Sequence, residues 1–185
     1  MKYSDIVTIF FRKQTHIMGK IKSFNEICKI CHKLQKEGKK VVFCHGFFDI
    51  LHRGHVTLLV EAKKLGDVLV VGVDHDYNAK ILKGPNRPIN DHDSRMFVLA
   101  NLEPVDFVFL VGSIEKANAG GVLSEFYTNI YKKLKPDVLA TSVKAGRFAE
   151  LRRKQAEEIG MKFVDVSGYI HKTNTSKTLR LLGLE

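Results

Sequence analysis

The sequence predicts a doubly wound parallel α/β sheet of about five strands with helices on both faces, and three observations carry that expectation. Short apolar, β-branched runs recur along the chain: KVVFCH, DVLVVGVD, VDFVFLVG, PDVLATS and MKFVDVS. Segments of helical periodicity separate them. The runs are continuous rather than alternating in polarity, so both faces of each strand are expected to be covered, as crossover helices do in a parallel sheet. Such an alternation defines a Rossmann-like architecture, in which ligands bind outside the carboxyl ends of the strands.

The elements follow in order. SFNEICKICHKLQKEGKK reads as an amphipathic helix, with Ser23 as N-cap, Glu26 three residues on as its capping-box partner, and Gly38 as the stop. KVVFCH is the first strand. GHVTLLVEAKKLG is helical and closes at Gly66, and DVLVVGVD is the second strand. HDYNAKILKGPNRPIND is expected to be a loop, broken by its glycine and prolines. DHDSRMFVLANLE is a helix, VDFVFLVG a strand, GGVLSEFYTNIYKKLK a helix and PDVLATS a strand. FAELRRKQAEEIG, MKFVDVS and TSKTLRLLG complete the pattern as helix, strand and short helix. With no internal repeat or linker, residues 23–185 are expected to form one domain, preceded by an extension at 1–22.

Composition bounds the function. A formal net charge of +10 points to an anionic partner, whether nucleic acid, a membrane surface or phosphorylated small molecules. The lysines are dispersed, with no aromatic-laced basic stripe, so no nucleic-acid role is expected. No apolar run approaches the roughly 20 residues that span a membrane, and no membrane partner is expected. Three cysteines are an odd number, which argues against a disulfide framework and for a reducing, cytoplasmic setting. IVTIFF near the start is too short, and lacks a small-residue cleavage site, to be a signal peptide. CKICH at 28–32 fits a haem-attachment pattern, but the same residues serve as the apolar stripe of the first helix.

VVFCHGFFDILHRGH, residues 41–55, places His52 and His55 three residues apart just past the first strand. A zinc site needs a third and usually a fourth ligand, and the cysteines lie elsewhere, so no metal site is expected. Phosphate explains more. Gly46 permits a tight turn after the strand. A helix starting near Arg53 or Gly54 offers free N–H groups and its positive dipole end to an anion. Two imidazole N–H donors on that rim would stabilise charge building on phosphate oxygens. Gly54 leaves room for a phosphate against the backbone.

GFFDILHRGH resembles the GxFDxxHxGH signature of the cytidylyltransferase-like nucleotidyltransferases. EAKKLGDVLVVGVDHD, LKGPNRPIN, SRMFVLANLEPVDFV and TNTSKTL resemble further blocks of one branch, the nucleotidyltransferase domain of bacterial ADP-heptose synthase. The resemblance runs in order over roughly residues 20–182. It implies transfer of a nucleotidyl group, AMP from ATP in that branch, to a sugar 1-phosphate such as a heptose 1-phosphate, with release of pyrophosphate. The acceptor phosphate attacks the α-phosphorus directly, so the protein supplies positioning and charge stabilisation. His52, His55 and Lys83 are the implied catalytic residues. Phe47, Phe48, Asp49, Gly54, Arg95, Gly146, Thr175 and Ser176 are implied to bind nucleotide, and Asp74, Asp76 and Arg87 to bind substrate. Mg2+ bridging the phosphates is the implied cofactor, and a homodimer is common in the family.

Several of these residues have purely structural alternatives. Arg95 could be solvated or pair with Asp91, Lys83 could be a loop lysine, Thr175 and Ser176 a helix cap, and Asp49 an organiser of the turn. The chain also departs from the branch, reading VDHD for VNSD and VKAGRF for VKGGDY. It carries no sugar-kinase half. The absence of an RTEGIS-type stretch before the last helix makes the CTP-dependent glycerol 3-phosphate reading the alternative.

Overall fold

The computed structural model describes residues 19–114, 123–142 and 148–166, together with Arg180 and Gly183. Five parallel strands form one sheet in the order β3-β2-β1-β4-β5. They are β1 (Val41–Gly46), β2 (Val68–Asp74), β3 (Phe107–Val111), β4 (Val138–Thr141) and β5 (Lys162–Asp165). The helices are α1 (Phe24–Lys36), α2 (Arg53–Lys63), α3 (Asp76–Lys83), α4 (His92–Ala100), α5 (Leu123–Leu134) and α6 (Ala149–Ile159). The predicted fold class is the observed one. The closing helix expected at TSKTLRLLG lies outside the described residues.

Because successive strand residues face opposite ways, β1 feeds two cores. Val42 and Cys44 pack with Leu59 and Ala62 of α2 and Met96, Leu99 and Ala100 of α4. Val41 and Phe43 pack with Ile27 and Cys31 of α1, Ile130, Tyr131 and Leu134 of α5, and Ala156 of α6. Cys31 is therefore core, which is the apolar-stripe reading of CKICH. Each fully buried Val or Leu in these layers contributes roughly 1.5–3 kcal/mol of transfer free energy.

Local chemistry sets the ends. Ser23 and Glu26 form the expected capping box, and Gly38 follows the helix at φ 79°. The amino ends of the strands are tied by three aspartates that precede neighbouring strands. Asp67 accepts from Lys40 N at 2.7 Å, Asp106 from Leu69 N at 2.7 Å, and Asp137 from Val41 N at 2.7 Å. Gly66 is required where α2 turns into β2, since a Cβ there would stand 2.7 Å from the Lys40 carbonyl oxygen.

Two expectations are corrected. Residues 76–83 are helical rather than loop. His75 caps α3 by accepting from Tyr77 N at 3.1 Å, and the prolines begin only after Gly84, at φ 114°, has ended the helix. The domain also starts before residue 23. Ile21 bridges Val108 in parallel, Lys22 N donates to Val108 O at 3.0 Å, and Lys20 Nζ donates to Val105 O at 2.7 Å. An apolar Ile21 beside the β3 edge gains burial that an extension in solvent would forgo.

Candidate active site

β1 is central, and the chain leaves its carboxyl end towards β2 on one side while β4 flanks it on the other. That is the topological switch point, where open α/β sheets bind ligands. The turn there is sharpest at Phe48, which holds φ 50° although it is not glycine. Such a conformation costs on the order of 1–3 kcal/mol and persists only where surroundings over-determine it. Gly46 is not the strained residue; an added Cβ would meet only the Phe48 ring, at an ordinary 3.5 Å. Phe48 is buried and its ring meets that of His55 at a steep angle, centroids 5.3 Å apart.

Asp49 supplies the over-determination. Its carboxylate accepts from Ile89 N at 3.0 Å, Asn90 N at 2.9 Å and Arg87 Nε at 2.9 Å, while Asn90 Nδ2 donates to the Asp49 carbonyl at 2.9 Å. Asp49 and Arg87 are both buried. Asp49 thus organises the turn by clamping the 87–90 segment across it. Of the two readings the sequence left open, the geometry displays this one, and Arg87 is its partner.

His52 is the N-cap of α2, and its Nδ1 accepts from Gly54 N at 3.1 Å. A neutral ring that accepts at Nδ1 carries its proton on Nε2, so His52 keeps an N–H donor for a ligand. His55 lies one turn on, and the two rings stack with centroids 3.9 Å apart. Lys83, at the end of α3, brings its ammonium within 5.8 Å of the Phe47 ring centroid, a cation–π distance that draws it over the same turn. Two imidazoles, an amine and a helix N-terminus therefore converge on one side of the β1 exit.

Arg95 is a fully buried arginine among the described residues. Its Nε donates to Asn90 O at 3.0 Å, Nη1 to Phe47 O at 2.5 Å, and Nη2 to both Asp74 O at 2.8 Å and Asp76 Oδ1 at 2.5 Å. It joins the ends of β1 and β2 to the 87–90 segment. Asp91, the partner considered from sequence, instead caps α4 at Ser94 N. Asp76 also accepts from His92 Nδ1 at 2.9 Å. Burial works to raise its pKa, but the bonds from His92 and Arg95 prevail and hold it below the usual value.

The chain matches the cytidylyltransferase-like family over residues 43–175, which includes every element just described at the β1 exit. It belongs to that family of nucleotidyltransferases. It is similar to the bifunctional protein HldE of Aliarcobacter butzleri (strain RM4018), 41% identical over 164 residues, covering 86% of this chain and 31% of that protein. To the bifunctional protein HldE of a Nitratiruptor species it is 54% identical over 90 residues, 49% of this chain and 20% of that protein. The chain thus spans no more than about a third of the length of these relatives. A solved structure, the lipopolysaccharide core biosynthesis protein from Thermoplasma volcanium GSS1, is 32% identical with a TM-score of 0.54, covering 74% of this chain and 100% of that one. The pantoate-beta-alanine ligase from Francisella tularensis, 19% identical with a TM-score of 0.59 over 78% of this chain and 65% of that one, shares the fold.

In this cytidylyltransferase-like domain the structure brings together Phe47, Phe48, Asp49, His52, Gly54, His55, Lys83, Arg87 and Arg95. Asp74 and Asp76 lie at the end of β2, Asp74 buried and bonded by the Tyr127 hydroxyl at 2.7 Å. Burial pushes the Asp74 carboxyl up, against the Tyr127 bond and the charges of Arg152, Arg95 and Lys83. Gly146, Thr175 and Ser176 lie outside the described residues. Sequence reasoning missed His45, hidden inside an apolar strand run, and the His75–His92 pair, stacked at 5.0 Å beside Asp76.

The imidazoles of the family's histidine pair rest neutral. Burial lowers the His52 pKa. For His55 burial and the neighbouring His52 lower it from 6.5 to about 4, against smaller opposing effects of the Ile50 backbone and Asp49. In the unfolded chain the same ring charges near 6.5, so between these values the unfolded state binds more protons. The His55 contribution is complete above pH 6.5 and is lost as the pH falls towards 4. At about 1.4 kcal/mol per pKa unit it amounts to roughly 3 kcal/mol. Urea midpoints should therefore drop between about pH 7 and about pH 5, and the drop should shrink in His55→Gln. A pH slope equal in the two proteins would remove His55 as its source.

Proposed function

We propose that this chain is a nucleotidyltransferase that moves AMP from ATP to a sugar 1-phosphate such as a heptose 1-phosphate, releasing pyrophosphate. The observation that carries the reading is the stacked His52–His55 pair at the α2 N-terminus, with Lys83 drawn over the same turn. The geometry suits a triphosphate: Nε2–H of His52 presents a donor, the α2 N-terminus presents its positive dipole end, and Lys83 adds a full charge. Bound phosphates favour charged imidazoles, so the neutral pair takes up positive character where negative charge accumulates. The ATP and heptose assignment is supported by the LKGPNRPIN block, the HldE relatives and the lipopolysaccharide core biosynthesis protein.

Magnesium belongs to the proposal as an ion carried on the nucleotide, where it neutralises phosphate charge. Among the described residues no group of three or more His, Cys, Asp or Glu side chains could hold a metal. The nearby carboxylates of Asp49, Asp74 and Asp76 are engaged in hydrogen bonds. Substrate phosphates with water commonly hold Mg2+ in such sites. A cytoplasmic setting is supported by the free thiols of Cys28, Cys31 and Cys44, and no described helix is long and apolar enough to cross a membrane.

The test is pyrophosphate release with ATP, CTP, GTP and UTP, each paired with heptose 1-phosphate, glycerol 3-phosphate and other sugar phosphates, with and without Mg2+. Acceptor-dependent release from ATP and a sugar 1-phosphate, abolished by EDTA, is expected. Release from CTP and glycerol 3-phosphate alone would replace this reading by the cytidylyltransferase one.

A further inference from the structure

A second polar cluster lies at the carboxyl ends of the same strands, on the sheet face opposite the histidine pair. His45 shares its face with Val41 and Phe43, and the register pairing Val42 with Val138 and Phe43 with Leu139 brings Thr141 beside it. On the other side His45 pairs with Gly72, where an added Cβ would stand 3.1 Å from the His45 Cβ and 2.8 Å from Val111 Cγ2. The missing side chain in β2 makes room for the imidazole. His45 Nε2 lies 2.7 Å from the Tyr131 hydroxyl, and its ring stacks on Tyr127 at 4.6 Å. Tyr127 in turn donates to Asp74 Oδ1, which is 4.0 Å from His45 Nδ1. Over this group sits Arg152 of α6, whose Nη1 donates to Thr141 Oγ1 at 2.9 Å.

The charges around the β1 exit do not balance at Arg152. Arg87 is paired with Asp49, and Arg95 with Asp76. Among the described residues Arg152 has no carboxylate at ion-pair distance, and its one described hydrogen bond goes to a neutral hydroxyl. The carboxylate its charge acts on is Asp74, where burial opposes ionisation and Tyr127 already donates. His45 is held neutral by burial and by Arg152, and both tyrosines are held in their neutral forms by burial. A guanidinium thus stands over a floor with no described carboxylate at ion-pair distance. Beside Thr141, Ser142 is buried to 6% exposure with its Oγ unpartnered among the described residues, as is His45 Nδ1. Buried polar atoms without partners call for an explanation, and a ligand group is one that also supplies the missing anion.

We propose that Arg152, seated on Thr141 and joined by Ser142 Oγ, binds a phosphoryl group of a substrate at the carboxyl end of β4. This rests on the nucleotidyltransferase reading and adds a binding residue to it. That reaction must bring two anions into contact, a triphosphate and an acceptor phosphate. The cation and donors already described, Lys83 with His52 and His55, gather on the α2 side of β1; Arg152 stands on the β4 side. A guanidinium fork suits two phosphate oxygens at once. The His45–Tyr127–Tyr131 group is the positioning set that keeps the floor from quenching it.

The experiment compares wild type, Arg152→Gln and Arg152→Lys with the nucleotide and acceptor pair that wild type turns over, together with calorimetric binding of inorganic phosphate and pyrophosphate. KM for one substrate should rise roughly tenfold to a hundredfold in Arg152→Gln, the scale of a lost charged hydrogen bond, with partial recovery in Arg152→Lys. A rise for the acceptor alone assigns the group to the acceptor phosphate. A rise for the nucleotide alone, with weaker pyrophosphate binding, assigns it to the triphosphate. Unchanged KM values for both, with a lowered Tm, would make Arg152 a purely structural residue and overturn the proposal. If wild type turns over no pair, the nucleotidyltransferase reading itself is at fault, and the two ion titrations still decide on Arg152: weaker binding in Arg152→Gln supports it, equal binding overturns it.

Discussion

His55→Ala is expected to lower kcat by roughly a hundredfold or more, the usual scale for losing a stabiliser of transition-state charge. The ring stacks on His52 at 3.9 Å and packs against Phe48 at 5.3 Å, so its placement is set on two sides before any ligand arrives. Its resting neutrality matters. A neutral imidazole adds little attraction for the bound ground state, but gains as charge shifts onto the departing pyrophosphate oxygens. Loss should therefore fall on kcat more than on the nucleotide KM. The helix itself should survive, because Leu59 and Ala62 anchor α2 in the core and the His52 cap is untouched. Steady-state pyrophosphate release, with circular dichroism as the folding control, measures this. A kcat within about threefold of wild type, small against the expected loss, would take His55 out of the chemistry.

Arg95→Ala should cost about 3 kcal/mol of stability, since a fully buried guanidinium making four hydrogen bonds, one to a part-buried carboxylate, is removed. The guanidinium satisfies four oxygens, those of Phe47, Asp74 and Asn90 on the backbone and Asp76 Oδ1. Deleting it leaves the buried Asp74 carbonyl and three part-buried acceptors without this donor, and leaves Asp76 with only its His92 bond from a side chain. Arg95→Lys should recover little, since one ammonium cannot reach acceptors spread over three segments. Urea unfolding of both variants is the measurement, and activity should be assayed at low temperature where the folded fraction is high. An unchanged midpoint with a raised nucleotide KM would show that Arg95 serves a ligand and not the scaffold.

The strands and most helices are legible in the sequence because their signals are local. Ser23 with Glu26, the closing Gly66 and the continuous apolar runs each act within a few residues. HGFFDILHRGH can be placed at the carboxyl end of β1 for the same reason. The role of Arg95 is not legible, since its partners at Phe47, Asp74 and Asp76 are 48, 21 and 19 residues away. Nor is α3, because the prolines of the 75–90 stretch suggest a break that comes only after Gly84. Glycine chemistry points to Gly46 for the tight turn, whereas the positive φ falls on Phe48, a difference set by the Asp49 clamp. His45 in VVFCHG carries no outward sign of function, since what distinguishes it is the gap at Gly72 and two tyrosines from α5.

The three aspartates that tie Lys40, Leu69 and Val41 lie at the opposite rim of the sheet from the described residues of the candidate site. That separation has a consequence for how such a domain can change. The rim that clamps the strands lies away from the candidate ligand site, and the rim that carries that site holds the positive-φ Phe48 and the neutral imidazoles. Substitutions at the candidate site would fall on one rim, while the register of the sheet is guarded from the other. The fold can therefore absorb changes in its carboxyl-end loops without renegotiating the arrangement that keeps the strands aligned.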